Sequence, residues 1–379
     1  MRIQQSLFRD DRWQNLGESP GFSADQVQWV LASGERTLLE RIPLYAHLRA
    51  LYPAAEIVIT STSGEIIADG VYDDSIAVVA VEWERTQIRT AQIAVEDRMK
   101  SYEAGAQLAR QLMRDDLAGV FIISEGNCIN GSELTKGLSD TLPPQIPISG
   151  GMAGDADRFS KTLVGLNSDP TVGNVVGVGL YGNSVRIGHG SLGGWDVFGP
   201  EREVTDSDEN VLYAIDGKRA LDLYKEYLGK YAKDLPGAAL LFPLSMKETP
   251  DSQPLVRTIL SIDEEKGSMI FAGDMPKGAL VRFMKANFDR LVDASATASL
   301  TSLNHLGRQP ELALLISCVG RKLVLGPRVE EEVEAAREVL GRDTVIAGFY
   351  SYGEISPLNP SARCELHNQT MTITVVSEN

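Results

Sequence analysis

One pattern constrains the fold of this chain more than any other: an order of strand, helix, strand, turn and strand that recurs along it. The first copy starts with "QVQWVLASG" (residues 26–34) and continues through a helix-compatible stretch, "LLERIPLYAHLRALYP". There Leu39, Ile42, Leu48 and Leu51 form an apolar face, and Pro43 predicts a break. "EIVIT", a Ser-Gly-Glu-Ile turn and the strand "SIAVVAVEW" (residues 75–83) complete it. The second copy runs from "LAGVFIISEGN" into a helix opened by Asn130 with Glu133 three residues on, a capping-box spacing. It ends with "IPISGG" and "VVGVGLYG". The third copy takes "LALLISCVG", the acidic helix "VEEEVEAAREVLG", "TVIAGFY", a second Gly-Glu-Ile and "TMTITVVSE".

Self-similarity of this kind signals duplication. The two Gly-Glu-Ile turns read as one corner of a repeated unit, with Gly150-Gly151 as its counterpart in the middle copy, because glycine adopts backbone angles that strain other residues. "GAALLFPL" (residues 237–244) reads as a strand opening a degenerate fourth copy. Further helices are expected at "SYEAGAQLARQLM", at "KRALDLYKEYLG" ending on Gly229, and within "FMKANFDRLVDASATASLTSL". The predicted fold class is α/β (α+β): two domains built from repeated strand-helix-strand-strand units, with mixed β-sheets flanked by helices. The domain boundary fits best between residues 220 and 236.

Several function classes are disfavoured. The net charge of −16 and the lack of any long basic run repel phosphate backbones, so no nucleic-acid partner is expected. No apolar run approaches the roughly 20 residues that cross a bilayer, so no membrane insertion is expected either. The start of the chain does not read as a secretory signal, and Cys128, Cys318 and Cys364 lack pairing or metal spacing. Reduced thiols and a cytoplasmic, bacterial-type setting follow. "GVGLYG" (residues 177–182) matches a dinucleotide fingerprint, but "NSVRIGHG" after it reads as a hairpin into a strand, where that site needs a helix. Phosphate-loop, nucleophile-elbow and zinc spacings are missing, and no acid–base pair stands out, so a non-enzymatic protein is expected.

What remains is a set of Gly-rich segments at strand ends: "STSGEI", "EGNCINGSEL", "ISGGMAGDAD", "IGHGSLGGWD", "YSYGEISP" and "CELHNQT". Glycines there expose amides, and Asn, Asp, Glu and His orient a ligand, so together they predict a small-molecule pocket.

"IPISGGMAGD", "GGWDVFGPEREVT", "NVLYAIDGKRALDLYKEYLG", "GFYSYGEISP" and "CELHNQTMTITVVSE" together resemble the FIST family, named for F-box and intracellular signal transduction proteins. The resemblance implies an N-terminal extension over 1–24, a FIST N-terminal domain over 25–222 and a FIST C-terminal domain over 223–379. It implies a sensory module for a small ligand such as an amino acid, acting on a separate partner such as a histidine kinase of a two-component system or a cyclic-dinucleotide enzyme. The family's motifs fall on Glu65, Asn130, Gly131, Gly150, Gly151, Asp155, Glu354, His367 and Asn368, which are the expected ligand-binding residues.

The residues themselves demand no cofactor. Some stand-alone members of the family bind haem and sense nitric oxide, so haem is the alternative. Iron needs an imidazole and porphyrin an apolar slot. His189, flanked by Gly188 and Gly190 and followed by Trp195 and Phe198, is then the expected ligand, ahead of His367. His47 and His305 read as ordinary helix or loop residues. An uncharacterised enzyme is a further alternative, and the assembly is open between monomer and homodimer.

Overall fold

A computed structural model describes residues 1–357 and 363–379. Its three repeated units build three six-stranded sheets whose order matches over five strands. The first unit centres on the parallel strands Trp29–Gly34 and Glu56–Ser61, the second on Leu117–Ser124 and Ile148–Met152, the third on Leu312–Cys318 and Val345–Ser351. Each central strand is also paired antiparallel with a closing strand: Ile76–Glu82, Asn174–Tyr181 and Met371–Glu378 respectively. Each closing strand pairs in turn with a leading strand: Arg2–Arg9, Gln87–Ala94 and Val185–Leu192.

The remaining strand of each unit is handed to a neighbour. Glu65–Ile67 of the first unit pairs with the third unit's Val345–Ser351. The third unit gives Gly353–Pro357 to Ile148–Met152 of the second. The second gives Val164–Leu166 to Glu56–Ser61 of the first. The exchange closes a ring: each sheet is completed by a strand from one neighbour, and each unit gives a strand to the other.

Side-chain alternation explains the layers. Along Trp29–Gly34, Trp29 and Leu31 enter a core shared with Phe121, Val178, Leu314 and Phe349, while Val30 and Ala32 face the helices Arg36–Arg41 and Leu44–Leu51. Strands covered on both faces read as unbroken apolar runs, as "IAVVAVE" does. The predicted break at Pro43 separates those two helices. The expected helices form at Ser101–Leu112, Ala220–Leu228 and Phe288–Leu306. All three cysteines are free. Among the described residues no helix is long and apolar enough to cross a membrane.

Three expectations are corrected. "GAALLFPL" is a 3-10 turn, Gly237–Leu241, followed by the short strand Leu244–Lys247; it opens no fourth copy. It belongs to a separate antiparallel sheet formed within residues 196–285 and inserted before the third unit. The strand after "GVGLYG" is not the second arm of a hairpin. Val185–Leu192 pairs with Met371–Glu378 in the third sheet, while Asn174–Tyr181 stays in the second. Gly150 and Gly151 lie inside the strand Ile148–Met152, where Gly150 has φ of 146° and a Cβ would sit 1.9 Å from the Ile122 carbonyl. The middle unit turns instead at Ala153 and Gly154, because Gly154 N–H donates to Ser61 O as Ser63 N–H does to Tyr350 O.

The helix Phe288–Leu306 rests directly on Val185–Leu192. A Cβ at Gly188 would meet Ser302 O at 2.2 Å, and one at Gly190 would meet Ala298 O at 2.2 Å. Gly190→Ala should therefore cost about 1–3 kcal/mol through overpacking against backbone, read as a lower urea midpoint. An unchanged midpoint would show that the helix shifts freely.

Candidate functional site

The three corners meet in a ring of backbone hydrogen bonds: Ser63 N–H to Tyr350 O (2.8 Å), Tyr352 N–H to Met152 O (3.2 Å) and Gly154 N–H to Ser61 O (2.9 Å). Glu65 and Glu354 hold equivalent places in it. Glu65 is bonded to the hydroxyls of Thr62 (2.5 Å) and Ser75. Glu354 is bonded to Ser351 Oγ (2.8 Å) and, through its other oxygen, to Thr370 Oγ1 (2.9 Å) and N–H (3.1 Å). Burial pushes both carboxyls up to about 8, against the pull of these hydrogen bonds. In the middle unit Val164 stands at the matching ladder position.

Asp155, just past the middle corner, is ion-paired with Arg36 (2.8 Å) and Arg158 (2.5 Å). Burial works against its charge, but these two guanidiniums hold it below the usual carboxylate range. His367 places Nε2 2.8 Å from Ser356 O, and burial lowers its pKa to about 4, so it is neutral. Asn130 caps the helix Gly131–Thr141 by accepting from the N–H groups of Ser132 and Glu133. Gly131 and Gly151 sit where a Cβ would strike Met152 Sδ and Ile316 Cγ2, each at 2.7 Å.

The structure thus brings Glu65, Gly151, Asp155 and Glu354 to one hub, with His367 paired to Glu354 across adjacent strands. Glu65, Asp155, Glu354, His367 and Asn368 are at most 1% exposed. This hub is packed, its polar groups bonded mainly to one another. The expected ring of orienting residues is present; the carboxylates of Glu65, Asp155 and Glu354 are bonded within the protein, while Asn368 Oδ1 and both amide atoms of Gln369 are buried without a hydrogen-bond partner among the described residues.

An open cleft of about 650 Å³ lies elsewhere, between the second and third units. His189, on the strand Val185–Leu192, lines it together with His305 of the helix Phe288–Leu306. Their rings meet edge to face with centroids 4.5 Å apart, and the backbone N–H of His189 donates to His305 Nδ1 at 3.4 Å. Leu142, Pro147, Ile148, Ile187 and Leu306 give apolar walls; Arg186 and Arg363 bring two guanidiniums. Of these, sequence reasoning singled out only His189. His305, Arg186 and Arg363 come from three distant segments, and no local motif marks them.

Three strand-exchanging units, with a cleft between two of them, define a multi-unit α/β fold of mixed sheets flanked by helices. The FIST N domain model matches residues 28–218 and the FIST C domain model residues 220–357; the chain belongs to the FIST family. FIST domains are implicated in signal transduction and ligand sensing. No curated protein matches the chain. Among solved structures, it is similar to a cyanuric acid hydrolase from A. caulinodans, at 8% identity, covering 94% of this chain and 92% of that one with a TM-score of 0.38. A likeness that distant says nothing about activity.

Proposed function

We propose that this chain is a sensory ligand-binding protein that takes its ligand in the cleft lined by His189 and His305 and acts on a separate signalling partner. A histidine kinase or a cyclic-dinucleotide enzyme is the kind of partner meant. The observation that carries the reading is the convergence of two imidazoles, two guanidiniums and apolar walls on one space of ligand size.

That chemistry fits haem. A porphyrin needs apolar walls, its iron an imidazole, and its two propionates cationic partners. His305 Nδ1 accepts the backbone N–H of His189, so its neutral tautomer carries the proton on Nε2 and offers iron no free lone pair. His189 is then the residue to hold iron, with Arg186 and Arg363 for the propionates. Bound haem would supply an iron able to take a diatomic gas. Among the described residues no three His, Cys, Asp or Glu groups are placed to hold a bare metal ion; a haem iron brings its other four ligands with it.

Haemin titration of the purified protein tests this. A saturable Soret band at one haem per chain is expected, abolished in His189→Ala and weakened about tenfold in Arg186→Gln/Arg363→Gln. A spectrum no different from free haemin, or one unchanged in His189→Ala, would refute the haem assignment. The broader claim then rests on thermal shift with a metabolite set, where a ligand at about 100 times its Kd adds roughly 2.7 kcal/mol.

A further inference from the structure

The helices Phe288–Leu306 and Glu330–Leu340 of the third unit lie side by side and point the same way. Arg328, just before the second helix, donates to Asp289 at the start of the first (2.9 Å). Gln309, just past the end of the first, donates to Leu340 O at the end of the second (2.7 Å). Midway, Ser295 Oγ donates to Glu332 O at 2.6 Å. Helical spacing puts Val292, Ala296, Leu300 and Leu303 in one stripe of the first helix, with Ala335 and Val339 in a stripe of the second. Five of these are half-buried and Leu300 is 50% exposed, so an apolar floor stays open to solvent between the helices. The longer stripe runs roughly 16 Å, three turns of helix.

The fold does not demand such a floor, as the second unit shows. Its helices Ser101–Leu112 and Gly131–Thr141 hold the matching places, one after the leading strand and one between the two parallel strands. There a Cβ at Gly105 would sit 2.2 Å from Leu134 O, and one at Gly137 2.1 Å from Tyr102 O, so the two backbones touch. The exposed side chains of that pair are all polar: Glu103, Gln107, Arg110, Gln111, Lys136 and Asp140. Neither helix of the third unit's pair contains glycine, and aliphatic side chains remain at its surface. An apolar stripe rimmed by polar groups, kept by one unit and missing from its counterpart, marks a contact surface.

Charge decides what covers it. Asp289 and Asp293 flank the stripe on the first helix, and Glu330, Glu331, Glu334 and Glu338 flank it on the second. The guanidiniums nearby are engaged: Arg328 by Asp289 and Glu331, Arg290 by Asp196, and Arg337 by Asp69. Among the described residues no cation is paired with Asp293, Glu330, Glu334 or Glu338. A second copy docked here would bring these carboxylates onto themselves, and anionic membranes and nucleic acids meet the same repulsion. We propose that this groove docks the signalling partner, taking one amphipathic helix whose apolar stripe is flanked by Lys and Arg. The inference rests on the reading of the chain as a sensor with a separate partner, and adds where and by what chemistry that partner is met. One helix joins the two sites, since Leu303 lies in the groove and His305, two residues on, lines the histidine cleft.

Fluorescence anisotropy on the full chain tests it with three labelled peptides of roughly 18 residues, five turns of helix. One carries leucines at helical spacing on one face and lysines elsewhere, the second the same leucines with glutamates, and the third the Leu/Lys composition scrambled. Binding of the Leu/Lys helix at least about tenfold tighter than either of the others is expected. Leu300→Gln/Leu303→Gln, which removes the floor, and Glu334→Gln/Glu338→Gln, which removes one bank, should each weaken it about tenfold. Glu103→Gln, on the second unit's pair, should leave it unchanged. Equal binding of the scrambled peptide, full affinity in either groove variant, weakening by Glu103→Gln, or no binding at about 100 μM would overturn the proposal. So would sedimentation showing a dimer that Leu300→Gln/Leu303→Gln dissociates, because a second copy would then fill the groove. If that double variant fails to fold, Leu300→Gln alone decides, its side chain being half in solvent. Haemin is absent throughout, so failure here leaves the haem assignment standing, and failure of the haemin titration leaves this result untouched.

Discussion

Replacing Arg321 by Met is expected to lower the unfolding free energy by about 3–5 kcal/mol, because it strands a carboxylate in the core. Arg321 and Glu332 are both fully buried and joined at 2.8 Å. Arg321 also donates to the carbonyls of Gly193 (2.6 Å) and Leu291 (2.7 Å), so it ties the loop before Trp195 to the helix Phe288–Leu306. Glu332 spends its other oxygen on Ser317 (2.9 Å) and Tyr350 (2.7 Å), the ends of the third unit's two parallel strands. Four segments therefore lose their register when one partner goes. Urea unfolding of Arg321→Met and of Arg321→Met/Glu332→Leu separates the contributions. The single variant should be markedly less stable than the double, in which no charge is left alone. A single variant as stable as the parent would mean that the pair does not organise the third unit.

The hub carboxyls give the second large effect, and it depends on pH. Glu65 and Glu354 have an ordinary value of 4.5 and are pushed up to about 8 in the folded chain. Below pH 4.5 both are protonated whether the chain is folded or not, and stability is at its fullest with respect to them. Between about 4.5 and 8 the unfolded chain ionises while the folded one does not. Each carboxyl then removes up to about 1.4 kcal/mol of stability per pH unit. Glutamine cannot ionise, and at position 354 it can still accept from Thr370 N–H while donating to Ser351 Oγ. Glu65→Gln/Glu354→Gln should match the parent well below pH 4.5 and exceed it at pH 8 by up to about 4 kcal/mol for each carboxyl replaced. Denaturant midpoints across this range check it, and a difference that does not vary with pH would show that both carboxylates are ionised in the hub.

The repeat was legible because its signals are local. Buried β-branched runs, the Asn130 cap and the Pro43 break act within a turn or two of the chain, and each appears where its residues predict. The exchange of strands was not legible. Nothing in Glu65–Ile67 says that it pairs with Val345–Ser351 and not with its own unit, since pairing choice lies in contacts almost 300 residues away. The Gly-rich segments were read as ligand-facing, but most of those glycines serve close approach of protein to protein. Gly188 and Gly190 show the difference well. They flank His189 and drew attention to it, yet their physical role is to let the helix Phe288–Leu306 lie against the strand. That same approach is what carries His305 onto His189 and forms the wall of the cleft. Arg257 shows the converse. It stands in an unremarked stretch, "QPLVRTIL", and its burial follows only from how the inserted sheet docks.

Hydrogen exchange of the protein with and without one equivalent of haemin tests most directly that the ligand site is the histidine-lined cleft and not the hub. Slowed exchange is predicted across residues 142–148, 185–192 and 303–307, with the corners at 61–65 and 351–355 unchanged. Protection confined to those corners, or none anywhere in a sample that has taken up haem, would contradict the account.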